Sequence, residues 1–249
     1  MILSYGKEKL DEHAIHNIMT HIQNSNDISL NKMSDIEFIY LPLLIEAHGM
    51  KHCALYKRIA LDPEYFCDLI EMFYKKKTEK DYALKLDEAI GTRLFKILFK
   101  FKIVPGVDSE GEINEEKFKT WMDYVKTWSE ENDRYEVTMN TVGQGLSHAK
   151  LGNEGLPCQV IMKELNGVEN DELRRGYNIG IINQRGCYTV DPEGKPELEL
   201  AKKYLNMAIK AEEKGYPRYA DTLRNISSQY ELEAQANIAE AKNAFEEYD

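Results

Sequence analysis

The stretch PRYADTLRNISSQYELEAQANIAEAKNAFEEY, residues 217–248, decides the fold class. Tyr219, Leu223, Ile226, Tyr230, Ala234, Asn237, Ala241, Phe245 and Tyr248 follow one another at steps of four or three. That spacing sets them on a single stripe of an α-helix. At 1.5 Å per residue the helix is about 48 Å long. The stripe is apolar except at Asn237. Two readings stay open: the stripe packs within this chain, or it projects as a coiled coil or partner-binding helix. On the second reading Tyr219, Leu223, Ile226 and Tyr230 are candidate interaction residues.

Working back from this helix, the same periodicity continues. Pro217 opens it and Gly215 caps its predecessor, expected over 196–214, with Leu198, Ala201, Leu205, Ala208 and Ile209 in a row. Helices are expected over 170–184, 158–166 and 135–149, the last in spite of Gly143 and Gly145. One over 114–130 has Asn114 as N-cap, with Phe118, Trp121, Met122, Val125 and Trp128 on its face. A longer one over 79–101 is stopped by Val104-Pro105-Gly106. Asp62-Pro63 gives the cap and first-turn proline of a helix over 63–76. A short helix spans 51–60. Before it, 34–47 opens with Ser34-Asp-Ile-Glu37, which reads as a capping box, and carries Pro42. The first helix spans 7–24. No alternating pattern survives beyond about four residues. The expected architecture is all-α: an irregular array of about ten helices in antiparallel pairs. Its parts are 1–104 and 105–249, read as one continuous helical unit.

Composition bounds function more by exclusion. The 249 residues carry 43 Asp and Glu against 32 Lys and Arg, a net charge of −11. That balance disfavours general nucleic-acid or anionic-membrane binding. No apolar run is long enough to span a bilayer and the N-terminus has no leader pattern, so a cytoplasmic protein is expected. Cys53, Cys67, Cys158 and Cys187 are scattered, as in reduced intracellular proteins. One local exception is 75–102, with nine basic and four acidic residues. It is a solvated helix face or, alternatively, a nucleic-acid contact.

Motifs for chemistry are weak. His48 and His52 stand four apart beside Cys53, a spacing that suits a metal pair, but Gly49 interrupts the helix that the pair needs. Asp108-Ser-Glu-Gly111 looks like the centre of a calcium loop, yet the anchoring positions fall on Gly106 and Lys117. Gly143-Gln-Gly145 has His148 where a dinucleotide fingerprint needs its third glycine. No catalytic residue, cofactor site or metal site is assigned. The least ordinary stretch is Arg174-Arg175-Gly176-Tyr-Asn178-Ile-Gly180-Ile-Ile-Asn183-Gln-Arg185-Gly186. Gly176 and Gly180 suit close approach of a second helix. Arg174, Arg175, Asn178 and Arg185 either brace the following connection or form a recognition surface.

Here the sequence resembles a known group. Gly176 to Gly186, Pro196-Glu-Leu-Glu-Leu-Ala-Lys-Lys-Tyr204, and Gly215-Tyr-Pro217-Arg218-Tyr-Ala220 through Leu223-Arg224 and Tyr230-Glu231 are similar to the helical C-terminal regions of large bacterial proteins. Those are mostly uncharacterised, some with suggested anti-phage or conflict roles. The similarity extends upstream through Leu41-Pro42-Leu43-Leu44, Asp62-Pro63-Glu64-Tyr65-Phe66, Pro105-Gly106 and Asp133-Arg134. It implies a fragment of a larger protein and carries no catalytic assignment. The expected function is a non-enzymatic protein-interaction or regulatory module. Its partner would be another protein or upstream domains of the same chain. The alternatives are nucleic-acid contact through 75–102 and a cryptic enzyme or metal site at His48, His52 and Cys53.

Overall fold

The computed structural model describes residues 12–23, 27–46, 53–78, 87–99, 101–108 and 112–246. Among them are eleven helices and no strand. They are α1 (Glu12–Gln23), α2 (Leu30–Glu46), α3 (Cys53–Leu61), α4 (Pro63–Phe73), α5 (Glu88–Leu98) and α6 (Glu115–Glu131). Then come α7 (Tyr135–Leu146), α8 (Gln159–Leu165), α9 (Asp171–Asn183), α10 (Lys195–Glu213) and α11 (Pro217–Glu246). The 30 residues of α11 make it about 45 Å long.

Local chemistry sets most boundaries. The Asp62 side chain accepts from Tyr65 N (3.1 Å) ahead of Pro63, and Asn114 accepts from Lys117 N (3.0 Å). Helix α5 begins later than periodicity predicts because Asp87 caps it, accepting from Ala89 N and Ile90 N. Residues 79–86 lie outside the described set. Phe101 is fully buried although it lies beyond the end of α5.

The expected capping box at Ser34–Glu37 is not one. Helix α2 starts a turn earlier, where the Ser29 backbone oxygen accepts from Met33 N (2.9 Å). Ser34 and Glu37 lie buried inside it. The Glu37 carboxylate instead caps the next helix, accepting from Leu55 N at 2.7 Å, and also takes Gln23 Nε2 at 2.9 Å. Pro42 lies within α2.

One core spans the chain. Phe66 of α4 packs against Phe101 (5.3 Å between ring centres) and Trp121 of α6 (5.0 Å), and Trp121 donates to Ile59 O. The same cluster continues from Leu41 to Tyr230, so it crosses the 104/105 boundary. Met19, Met33 and Leu44 form a small separate core between α1 and α2.

Two helix pairs organise the C-terminal part. Helix α10 pairs with α11, and α7 pairs with α9. The α7–α9 pair meets backbone to backbone. A Cβ on Gly176 would stand 2.0 Å from Asn140 O, and one on Gly143 would stand 2.1 Å from Leu173 O. The expected close approach at Gly176 and Gly180 is therefore present, with α7 as the partner. Gly143 is a packing residue inside a helix, not part of a phosphate loop.

The inner face of α10 differs from the expected row. Glu197, Ala201, Tyr204, Met207, Ala208 and Ala211 are buried, while Leu198, Leu205 and Ile209 are exposed. The two stripes are neighbours on the helix. Tyr204 helps decide between them by stacking on Tyr230 of α11, with ring centres 5.8 Å apart.

Candidate functional site: a paired cleft at Lys102 and His148

The connection from α5 to α6 runs past the C-terminal ends of α7 and α9. Where these meet, two clefts of about 630 Å³ each open side by side. Lys102 and His148 line both.

The first cleft has an apolar floor of Ala60, Ile103, Val104 and Val107, with Tyr56 on one wall. Lys57, Lys102 and Lys150 stand at its rim, together with Asp108. Lys150 is paired with Glu112. Lys57 and Lys102 have no ion pair among the described residues. The Asp108 carboxylate accepts from Glu112 N (2.9 Å), and Val107 bridges Ile113. The supposed calcium loop is thus a local turn at its described positions; residues 109–111 lie outside them.

The second cleft is more polar. Phe99, Phe101, Lys102, Gln144, His148, Asn183 and Gln184 line it. Its amides are held in place. Gln184 Nε2 donates to Ser147 O and Ser147 Oγ, both at 2.9 Å, and Gln144 Nε2 donates to Asn140 Oδ1 at 3.1 Å. Phe99 is 54% exposed and stacks on Phe95, with ring centres 4.7 Å apart.

Burial, and secondarily the Lys102 ammonium, hold the His148 imidazole below its ordinary 6.5. Folding therefore favours the neutral ring. Its contribution to stability is complete above pH 6.5 and is lost as pH falls through that value towards the depressed folded pKa. In an NMR titration, the His148 Cε1–H resonance is expected to have its midpoint below 6.5. Lys102→Ala is expected to move that midpoint up. A midpoint above 6.5 would show that the ring is neither desolvated nor facing a cation.

The residues singled out from sequence go elsewhere. Arg174 is buried and braces α8, donating to Leu165 O (2.9 Å) and Gly167 O (2.5 Å) and pairing with Asp171. Arg175 is exposed, 4.0 Å from Glu136 and 3.8 Å from Glu172. Asn178 is half-buried, with no partner for its Oδ1 among the described residues. Arg185 pairs with Glu197 of α10 and with Glu233 of α11 (2.9 Å), beneath the ring of Tyr188, 3.2 Å from its centre. Tyr188 donates to the same Glu233. Arg185 thus ties the 186–194 connection to α10 and α11.

Tyr219, Leu223, Ile226 and Tyr230 are core residues facing the rest of the chain, not an open seam. Tyr219 and Tyr177 share a buried hydrogen bond of 3.0 Å between hydroxyls. Burial pushes Tyr177 up to about 12 and Tyr219 well above its ordinary value, so both stay protonated.

His48 and His52 lie outside the described residues, as does the Cys53 side chain. No cluster of three metal-ligating side chains occurs among the described residues. Burial pushes the Cys67 thiol up to about 12, which keeps it protonated and a poor ligand. Of the basic 75–102 stretch, Lys77 pairs with Glu136 (3.2 Å), Lys102 enters the cleft, and residues 79–86 and Lys100 lie outside the described set.

Compared with protein-family models, curated proteins and solved structures, the chain matches none. No described helix is long and apolar enough to cross a membrane.

The cleft was invisible to motif reading because its walls come from Tyr56, Val104, His148 and Gln184, far apart in sequence. The one local signal is Phe95-Lys-Ile-Leu-Phe99-Lys-Phe101-Lys102, where aromatic and basic residues alternate more densely than a buried helix needs.

Proposed function

We propose that this chain is a non-enzymatic interaction module that docks an acidic, apolar-anchored segment of a protein partner in the cleft over Val104. The observation that carries this is an apolar floor beside Lys57 and Lys102, neither ion-paired among the described residues, on a chain of net charge −11; Lys150 on the same rim is paired with Glu112, and Asp108 stands beside it. An apolar pocket with a few convergent charged groups is the usual form of a binding site. Side chains such as Leu or Phe would fill the floor, and flanking carboxylates would meet the rim. This reading places the module in the cytoplasm, within a larger bacterial protein. The scattered spacing of Cys53, Cys67, Cys158 and Cys187 supports that compartment.

The test is fluorescence anisotropy with a short labelled peptide of alternating Asp and Leu. It is expected to bind at low salt and to weaken as salt rises, because the rim cations are exposed and screened. Lys57→Glu combined with Lys102→Glu is expected to abolish binding with the fold intact by circular dichroism. A peptide that fails to bind the parent protein, or binds the double variant equally well, overturns the reading.

A further inference from the structure

We propose that the polar cleft beside Phe99 is a binding site for a nucleoside phosphate whose base carries an exocyclic amine. The argument starts from Phe99. One face of its ring is covered by Phe95, yet the residue remains 54% exposed. Phe99 lines the cleft, and an exposed aromatic face is a platform for a planar base. Such stacking is tolerant of which base it holds.

The amides supply selection. Gln144 and Gln184 both line the cleft, and both commit their Nε2 groups to the protein, on Asn140 and Ser147. Each therefore offers its carbonyl oxygen to a ligand. Two fixed acceptors match an amino group and reject a carbonyl at the same position. The Ser147 tether joins α7 to Gln184 at the end of α9, so these acceptors need no ordering when a ligand arrives.

Lys102 supplies the charge and His148 a neutral donor. Lys102 is exposed and has no ion pair among the described residues, and His148 stands beside it. A phosphate placed between them meets an ammonium and an imidazole N–H. A volume of about 630 Å³ accommodates a mononucleotide.

The proposal does not rest on peptide docking, which uses the neighbouring apolar floor. Lys57 lines that floor and is absent from the lining of the polar cleft. Lys57→Glu is therefore expected to weaken the Asp-Leu peptide and leave nucleotide binding unchanged, so the two readings fail separately.

The experiment is calorimetric titration of the full chain with AMP, IMP, adenosine and a short oligoadenylate. AMP is expected to bind about tenfold tighter than IMP, the effect of one amine facing two acceptors. Lys102→Ala is expected to weaken AMP about tenfold and leave adenosine unchanged. Phe99→Ala, at an exposed position, is expected to weaken AMP and adenosine alike. Oligoadenylate binding no tighter than AMP identifies a free nucleotide as the ligand. Tighter, steeply salt-dependent binding identifies a nucleotide within a single strand. No binding of AMP or oligoadenylate overturns the proposal, as does equal binding of AMP and IMP.

Discussion

Gly176→Ala is expected to lower stability by about 3 kcal/mol, the upper range for forcing a methyl group into a packed interior. The added Cβ would meet Asn140 O at 2.0 Å and the Asn140 carbonyl carbon at 2.7 Å. Both are backbone atoms of α7, so no side chain can swing aside. The two helices must separate along their length, and Gly143 and Gly180 lose their contacts too. For a chain of this size the loss corresponds to about 10 °C in Tm. Gly152→Ala is the control, because its Cβ would meet only Leu156 O at 3.6 Å, an ordinary contact. Thermal unfolding of both variants checks the prediction. A Gly176→Ala protein as stable as the parent would mean that α7 and α9 do not touch through their backbones.

Arg185→Ala is expected to cost about 4 kcal/mol, since removing one partner of a buried pair leaves the other charge uncompensated. The charge left behind is Glu197, whose side chain has no exposed surface. Its second oxygen already lacks a hydrogen-bond partner among the described residues. The guanidinium also lies under Tyr188 and reaches Glu233, so the 186–194 connection loses its anchor together with the charge. Two companions separate these effects. Arg185→Met with Glu197→Leu removes both charges, and is expected to be markedly more stable than Arg185→Ala alone. Glu233→Ala breaks the more exposed arm and is expected to cost about 1 kcal/mol or less. Urea unfolding of the three variants gives the comparison. Equal losses for Arg185→Ala and the double variant would show that Arg185 acts by packing and not by charge.

The helical class was legible because it rests on local periodicity and caps. The stripe from Tyr219 to Ala234 is buried as one face, and Asp62 and Asn114 cap the helices they precede. Legibility stopped where a side chain serves an element distant in sequence. Glu37 has the spacing of a self-capping residue but satisfies Leu55 of α3. On α10 two adjacent stripes are both apolar enough to face inward, and partners distant in sequence select one: Tyr230 stacks on Tyr204, Arg185 pairs with Glu197, and Ser227 Oγ donates to Ala201 O. The candidate site was less legible still. Unusual residues in a sequence mark unusual structural demands, and Arg174 and Arg185 proved to be internal braces. The cleft residues Lys57, Lys102, His148 and Gln184 are individually ordinary, and only the fold gathers them.

The contact between α7 and α9 has a mechanical meaning. Most helices meet through side chains, whose rotamers give the joint some play. Here carbonyl oxygens rest on glycine α-carbons, and such a joint has almost none. The ends of these two helices carry Gln144, Ser147, His148 and Gln184, so the back wall of the paired cleft behaves as one stiff jaw. The opposing wall, from Phe101 to Asp108, rests on the same jaw: a Cβ on Gly145 of α7 would stand 2.3 Å from Ile103 O. An occupant therefore meets two walls with little slack between them, and Phe101 and Val104 join the second wall directly to the core shared by α4 and α6.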